Sequence, residues 1–555
     1  MHDLKQPLKA DQNEIIDSCC DRESPQSYEL KDGQAKAEKP GKVIDEHYRL
    51  GGRKPLPTLA ILTFGPLVSQ LVAGLYGVVS SMWVAKAMGD VGMAAISCYS
   101  NLDNIGRAFG FFMLAGASSK ISSLFGENKG EEAAQVICDL FRCCFICGMI
   151  VPAILVPLSR PLAHWYNAED EVIDLAFVYL TPLSACSSIT CIYLLFCGCL
   201  QAEGRSLLVG GIQIASLVAN MCLFCPLFLL VFKWGTIGAA FATVCSELIP
   251  AVVLSALYFS GRFAVKPSFK GLFKKFSPHT IPALTVGISQ LIMNLSRSVP
   301  SIFLRKFMGM CADNRKKDGL DGTFEDAVSG FNAVTRIYGV TDAVRMAVSM
   351  GLLPSVSYAF SAHRFSRIYK LIFHACWINI VWSTSMIILT AFGSRYVAMC
   401  ISTSERYLTW AAPMLKIANW EAPLAWTQNV VQTILQAVSY GNLATAYSFF
   451  AALLTYIAGL FILYYTNDRD FVRMMYVFLI RSGIALVVGV IILYWPFKKI
   501  MKAKEHDKIE NDEEEPSIDN IQLNDIEKKS TSSENDLNDN ENAKENINDS
   551  FIDNV

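Results

Sequence analysis

Residues Ser289 to Gly309, SQLIMNLSRSVPSIFLRKFMG, repeat Ser69 to Gly89, SQLVAGLYGVVSSMWVAKAMG, at a constant offset of 220, with 9 of 21 positions identical. The echo continues downstream at a larger offset. Gly116, Ser122 and Phe125 align with Gly351, Ser357 and Phe360 at 235, and Leu200-Gln201-Ala202 aligns with Leu435-Gln436-Ala437 at the same value. The extra 15 residues fall on one polar segment, Cys311 to Asp326, which reads as an inserted loop. A chain carrying two copies of one unit of roughly 220 residues must fold as two similar halves.

Those halves belong in a membrane. Hydrophobic residues make up 52% of the 555 and charged ones only 18%, too few charges for an ordinary soluble surface. The charge gathers at the ends, and between them run apolar stretches of about 20 residues, long enough to cross a ~30 Å hydrocarbon core. Alternating strands of a transmembrane barrel are not read. The expected fold is therefore an all-α membrane protein of twelve transmembrane helices, two parallel six-helix repeats around a central cleft. Spans are read near 58–84, 92–119, 134–158, 171–199, 206–232, 236–259, 279–304, 327–356, 368–393, 408–435, 442–465 and 474–496. Six crossings return each unit to its starting side, so the copies share one orientation.

The domain reading follows from composition. Residues 1–54 are a polar, disordered N-terminal segment without a signal-peptide core, and 55–260 form the N-lobe. Residues 261–278 are a basic linker, 279–497 form the C-lobe with its insertion at 311–326, and 498–555 are an acidic disordered tail. Short connections rich in Lys and Arg, the linker above all, put both termini and the linker in the cytoplasm. The seventeen cysteines lie mostly in apolar runs and read as small hydrophobes. The pairs Cys144/Cys147 and Cys222/Cys225 lack the polar setting of a metal or redox site, and no metal is expected.

Several segments resemble the multidrug and toxic compound extrusion (MATE) transporters, especially their bacterial DNA-damage-inducible branch. Pro66 to Gly89 is similar to the family's first helix, and SKISSLFGENKGEEAAQV (Ser119 to Val136) to the loop after its second. LQAEGRS (Leu200 to Ser206) resembles the loop after helix four, CPLFLLVFKWGTIGAAFAT (Cys225 to Thr243) helices five and six, and PALTVGISQLIMNLS (Pro282 to Ser296) helix seven. The resemblance covers about residues 55 to 497 in order. It implies efflux of organic, often cationic, compounds in exchange for H⁺ or Na⁺; the chain is read as exporting small organic, cationic or zwitterionic, compounds by alternating access, with no other cofactor. It also implies two coupling aspartates in the N-lobe. Anchoring on Tyr76 and Val84 puts the first at Ser80, and anchoring on Pro226 and Gly235 puts the second at Cys225, so both carboxylates are missing. Thr243, eighteen residues after Cys225, matches the family threonine, and Asn220 is one position away from the family asparagine.

Other ionisable residues then become candidates, because a buried carboxylate is the usual group for sensing a coupling ion. Asp103 and Arg107 share a helix face, either as a structural pair or in a proton or substrate role. Glu247 lies one turn beyond Thr243 on the same face. Asp342 and Arg345 are three apart and can neutralise each other. Glu421 sits about a turn before the position, near Ala425, where another MATE branch carries an acid, and is either a coupling site or a polar anchor. Gln70, Gln290, Asn294 and Arg297 are cavity candidates. The two glutamines bond a substrate or a neighbouring helix, and Arg297 pairs with Glu421 or Asp342 or, unpaired, selects an anionic or zwitterionic substrate.

Two alternatives stand beside export: a flippase for lipid-linked precursors, and a transporter-like receptor that moves nothing. An enzyme is not expected, since the seven histidines are scattered. The partners read are a small organic substrate, membrane lipid and a cytoplasmic partner for the acidic tail; no nucleic acid is expected, and the chain is read as a monomer.

Overall fold

A computed structural model describes residues 47–165, 170–399 and 404–514. All belong to one compact unit, and no strand occurs among them. The helical run Pro55–Gly126 has 72 residues, about 108 Å if straight. It is not straight, because added Cβ atoms at Gly51, just before it, and at Gly126, its last residue, would both meet Tyr358. The run therefore doubles back into two spans, α1 (Pro55–Val72) and α2 (Tyr99–Gly126).

The N-lobe continues with α3 (Gly130–Trp165), α4, α5 (Ser206–Val231) and α6 (Gly235–Phe259). The α4 span is the pair Asp170–Ala185 and Ser187–Ala202, bent by 51°, with Pro182 one turn before the break. The C-lobe holds α7 (Thr280–Lys317), α8 (Asp326–Ser361), α9 (Phe365–Met399), α10, α11 (Gly441–Thr466) and α12 (Arg473–Lys498). The α10 span is again a pair, Glu405–Ala418 and Ala422–Ala437, separated by the tight turn Asn419–Glu421 ahead of Pro423. Nine of these spans, or ten with the bent α4, are long and apolar enough to cross a membrane among the described residues. α7 and the broken α10 bring the number to the twelve expected.

The repeat is written into the contacts. A Cβ on Gly116 of α2 would sit 2.7 Å from the Ala283 carbonyl of α7, and one on Gly351 of α8 would sit 2.7 Å from Thr63 Oγ1 of α1. Thr63 and Ala283 are 220 apart, and Gly116 and Gly351 are 235 apart, so one contact is the two-fold copy of the other. The same holds for Gly65 against Ser206 and Thr285 against Gly441. Small residues thus let each lobe's second helix lie directly on the other lobe's first. Next to these contacts Ser119 meets Ser357 at 3.2 Å and Ser123 meets Ser361 at 2.7 Å. This is the face that carries the linker, and the lobes close it.

The linker itself is docked. Gln135 of α3 donates to the Gly271 carbonyl at 3.1 Å, and buried Asp139 accepts from Ser277 N at 2.7 Å and Thr280 Oγ1 at 2.6 Å. Toward the opposite face the lobes touch again, with Ser301 donating to Asn101 at 3.1 Å and Lys306 to the Trp165 carbonyl at 2.9 Å.

Three boundary readings change. The N-terminal polar segment is ordered from His47, because Arg367 donates to the Leu50 and Arg53 carbonyls and Arg364 to that of Gly51. The insertion is not wholly a loop. Its start extends α7 to Lys317, burying Cys311 and Ala312, and Asp326 closes a capping box with Thr323. The helix of α12 runs on to Glu514, into the segment read as tail. Residues 1–46 and 515–555 lie outside the described residues.

Candidate functional site

Between the lobes lies a cavity. Its N-lobe wall includes Phe111 and Leu114 of α2 and Gln201 of α4. Its C-lobe wall includes Gln290, Met293 and Arg297 of α7, Met346 and Ser349 of α8, and Asn429, Gln432 and Gln436 of α10. Gln201 and Gln436 are repeat equivalents, so one duplicated glutamine faces the cavity from each lobe. The C-lobe amides are tied together: Gln432 donates to the Ser289 carbonyl at 3.0 Å and Gln436 to Ser289 Oγ at 2.8 Å. Both also donate to Gln290 Oε1, at 3.4 and 3.3 Å.

From Arg297 a line of charge runs into the C-lobe. Arg297 Nη2 donates to Asn429 Oδ1 at 2.8 Å, and its Nη1 is 3.2 Å from Asp342. Asp342 is also 3.3 Å from Arg345 Nε, and the Arg345 guanidinium lies over the Tyr338 ring at 5.2 Å. Tyr338 OH accepts from Arg481 Nη2 at 2.8 Å, and the same nitrogen is 3.3 Å from Glu421. Ser482 donates to that carboxylate at 2.6 Å. Arg345, Glu421 and Arg481 are buried, so each needs its partner in a membrane interior.

A second, smaller cavity lies in the N-lobe and is lined by Asp103, Arg107, Thr190, Thr243 and Glu247 among others. Arg107 bridges both acids, with Nε 3.3 Å from Asp103 and Nη1 2.9 Å from Glu247. Thr190 of α4 donates to the other Glu247 oxygen at 2.5 Å. Two carboxylates here share one guanidinium.

The structure thus gathers Asp103 and Glu247 in one cavity, places Gln290 and Arg297 in the other, and sets Asp342 and Glu421 behind Arg297. Arg297 takes Asp342 as its acid, and Glu421 goes to Arg481. Thr243 lines the N-lobe cavity while its hydroxyl donates back to the Ala239 carbonyl. Cys225 does not line it; its thiol donates to Asn220 at 3.1 Å within an apolar cluster with Val84 and Leu229. Gln70 donates to the Met350 sulfur at 3.7 Å from just outside the central cavity. Asn294, one turn before Arg297, buries an Nδ2 with no partner among the described residues. Ser80 lies in the helical run Pro55–Gly126, between α1 and α2. Sequence reasoning missed Thr190, Arg481 and Ser482, which pair across helices far apart in the chain. It aligned Gln201 with Gln436 through the shared Leu-Gln-Ala but did not name either as a cavity residue. No group of three metal-ligating side chains occurs among the described residues.

The family model described as MatE matches residues 67–225 and 324–461, more than half of the chain. The chain belongs to the MatE family. Among curated proteins none matches. Solved MATE structures share the fold at 18% identity. One, a MATE in complex with MaL6, is matched over 83% of this chain and 99% of its own with a TM-score of 0.72. A MOP superfamily transporter from Pyrococcus furiosus, described as having a binding pocket of reverse polarity, is matched over 84% and 100% with a TM-score of 0.73. An outward-facing multidrug resistance MATE transporter gives the same coverage and TM-score. The chain is thus a multi-pass membrane protein with a MATE transporter fold.

Proposed function

We propose that this MATE protein is a secondary active exporter of small organic, cationic or zwitterionic, solutes, working by alternating access against an H⁺ or Na⁺ gradient. The observation that carries the reading is the central cavity, whose walls come from both lobes and above and below which the lobes touch. A rocking of one lobe against the other opens such a cavity to one side at a time. The linker face, rich in Lys and Arg, is read as cytoplasmic.

The coupling ion belongs in the N-lobe cavity. Asp103 and Glu247 outnumber Arg107, so the site favours a cation. A proton or Na⁺ on Glu247 weakens its hold on Arg107 of α2 and Thr190 of α4. Those two helices also wall the central cavity through Phe111 and Gln201, which gives occupancy a route to the substrate site. Glu421, tied to Arg481 and Ser482, acts as an anchor. The segments quoted above support the DNA-damage-inducible branch as nearest, with coupling relocated from Ser80 and Cys225 to Glu247. A receptor without transport is separated from this reading by flux. In proteoliposomes, Glu247→Gln is expected to keep binding solute and to lose gradient-driven movement; gradient-driven movement at the wild-type rate in that variant overturns the coupling assignment.

A further inference from the structure

We infer that the central cavity takes a solute bearing a carboxylate, received at Arg297; this rests on the transport reading and names its substrate class. The C-lobe network from Arg297 to Glu421 contains three guanidiniums, Arg297, Arg345 and Arg481, and two carboxylates, Asp342 and Glu421. One positive charge is left over in the membrane interior, and arginine does not shed its proton to relieve it.

Two further observations place the neutralising group in the cavity. Arg345 is only 1% exposed, yet its Nη1 and Nη2 have no hydrogen-bond partner among the described residues, so the shortage of acceptors is real within the cluster. Arg297 is the member of the network that reaches the cavity. Around it the C-lobe wall offers donors. Gln290 spends its carbonyl on Gln432 and Gln436, which leaves its NH₂ to donate, and Ser349 Oγ is buried without a partner among the described residues. The N-lobe wall offers the reverse, the unpartnered acceptor Gln201 Oε1. A solute with a carboxylate at one end and an N–H or O–H donor at the other satisfies both walls.

The test uses rhodamine B, which has a free carboxylate on a cationic ring system, and its ethyl ester, which has the same ring system without it. Binding to the full-length protein in detergent is read by fluorescence anisotropy. The acid is expected to bind roughly tenfold more tightly than the ester. Arg297→Gln should erase that preference, and Asp342→Asn, which frees Arg297, should enlarge it. A merely structural role for the pair would weaken both dyes in both variants. Equal binding of acid and ester, an unchanged preference in Arg297→Gln, or binding of neither dye overturns the inference. The transport reading falls by a different result: acid that binds but that no H⁺ or Na⁺ gradient moves.

Discussion

Glu421 and Glu247 show how two buried glutamates in one chain meet different surroundings. Glu421 has no exposed surface and accepts from Ser482 beside Arg481, so removing its charge strands a guanidinium. Glu421→Gln is expected to cost about 3–5 kcal/mol of stability, read by unfolding in detergent, whereas Glu247→Gln, facing a cavity with Asp103 still beside Arg107, should cost far less. A third glutamate, Glu203, lies in the turn between α4 and α5, and burial pushes its carboxyl up to about 7 from 4.5 despite Arg205 and the Val265 amide. In that interval the folded chain holds a proton that the unfolded chain has released. Its stabilising contribution is therefore complete below about pH 4.5 and is lost as pH rises through about 7, on the order of 3 kcal/mol. Glu203→Gln should flatten that stretch of the stability–pH profile; an unchanged slope would contradict it. None of this pairing is readable from spacing alone. Asp103/Arg107 and Asp342/Arg345 were legible because they sit one helical turn apart. Arg107–Glu247 and Glu421–Arg481 were not, because each joins two helices, and for the same reason Arg297 was left between Asp342 and Glu421.

The helices were far more legible than their ends. Length and hydropathy mark twelve spans because a backbone in lipid must satisfy its own hydrogen bonds. They do not show that the insertion's start winds on as α7, since Cys311 and Ala312 find their cover on neighbouring helices. Nor does an apolar run reveal the breaks in α4 and α10, although Pro182 and Pro423 stand next to them. The repeat offsets carried the most information. They foretell that Gly116 and Gly351 occupy twin positions, and the structure shows why both lack a side chain. Gly116→Val and Gly351→Val should each pry the linker face apart at a cost of about 1–3 kcal/mol, measured as faster thiol labelling of a cysteine placed at Ser357. Unchanged labelling would place the closure elsewhere.

At the scale of the whole molecule, two lobes meet at both faces of one cavity, and the proposed transport requires them to part at one face to release what it holds. Ser123 and Ser361, 2.7 Å apart across the linker-face seam, are a place to stop that motion. The double variant Ser123→Cys, Ser361→Cys should cross-link under oxidation, beyond what the single variants show, and halt transport until a reductant is added. Transport that continues with the seam locked would mean the lobes do not part there. The charge of the two cavities is opposite, with one more acid than guanidinium in the N-lobe group and one more guanidinium than acid in the C-lobe network. On that basis the coupling cation and the solute are proposed to divide between them. The most direct measurement is movement of rhodamine B across proteoliposome membranes under an imposed H⁺ or Na⁺ gradient, with Glu247→Gln and Glu421→Gln beside the wild type. The account predicts movement that follows one of the gradients in the wild type and in whatever folded Glu421→Gln remains, and none in Glu247→Gln. A wild-type protein that binds the dye but moves it under neither gradient would contradict it.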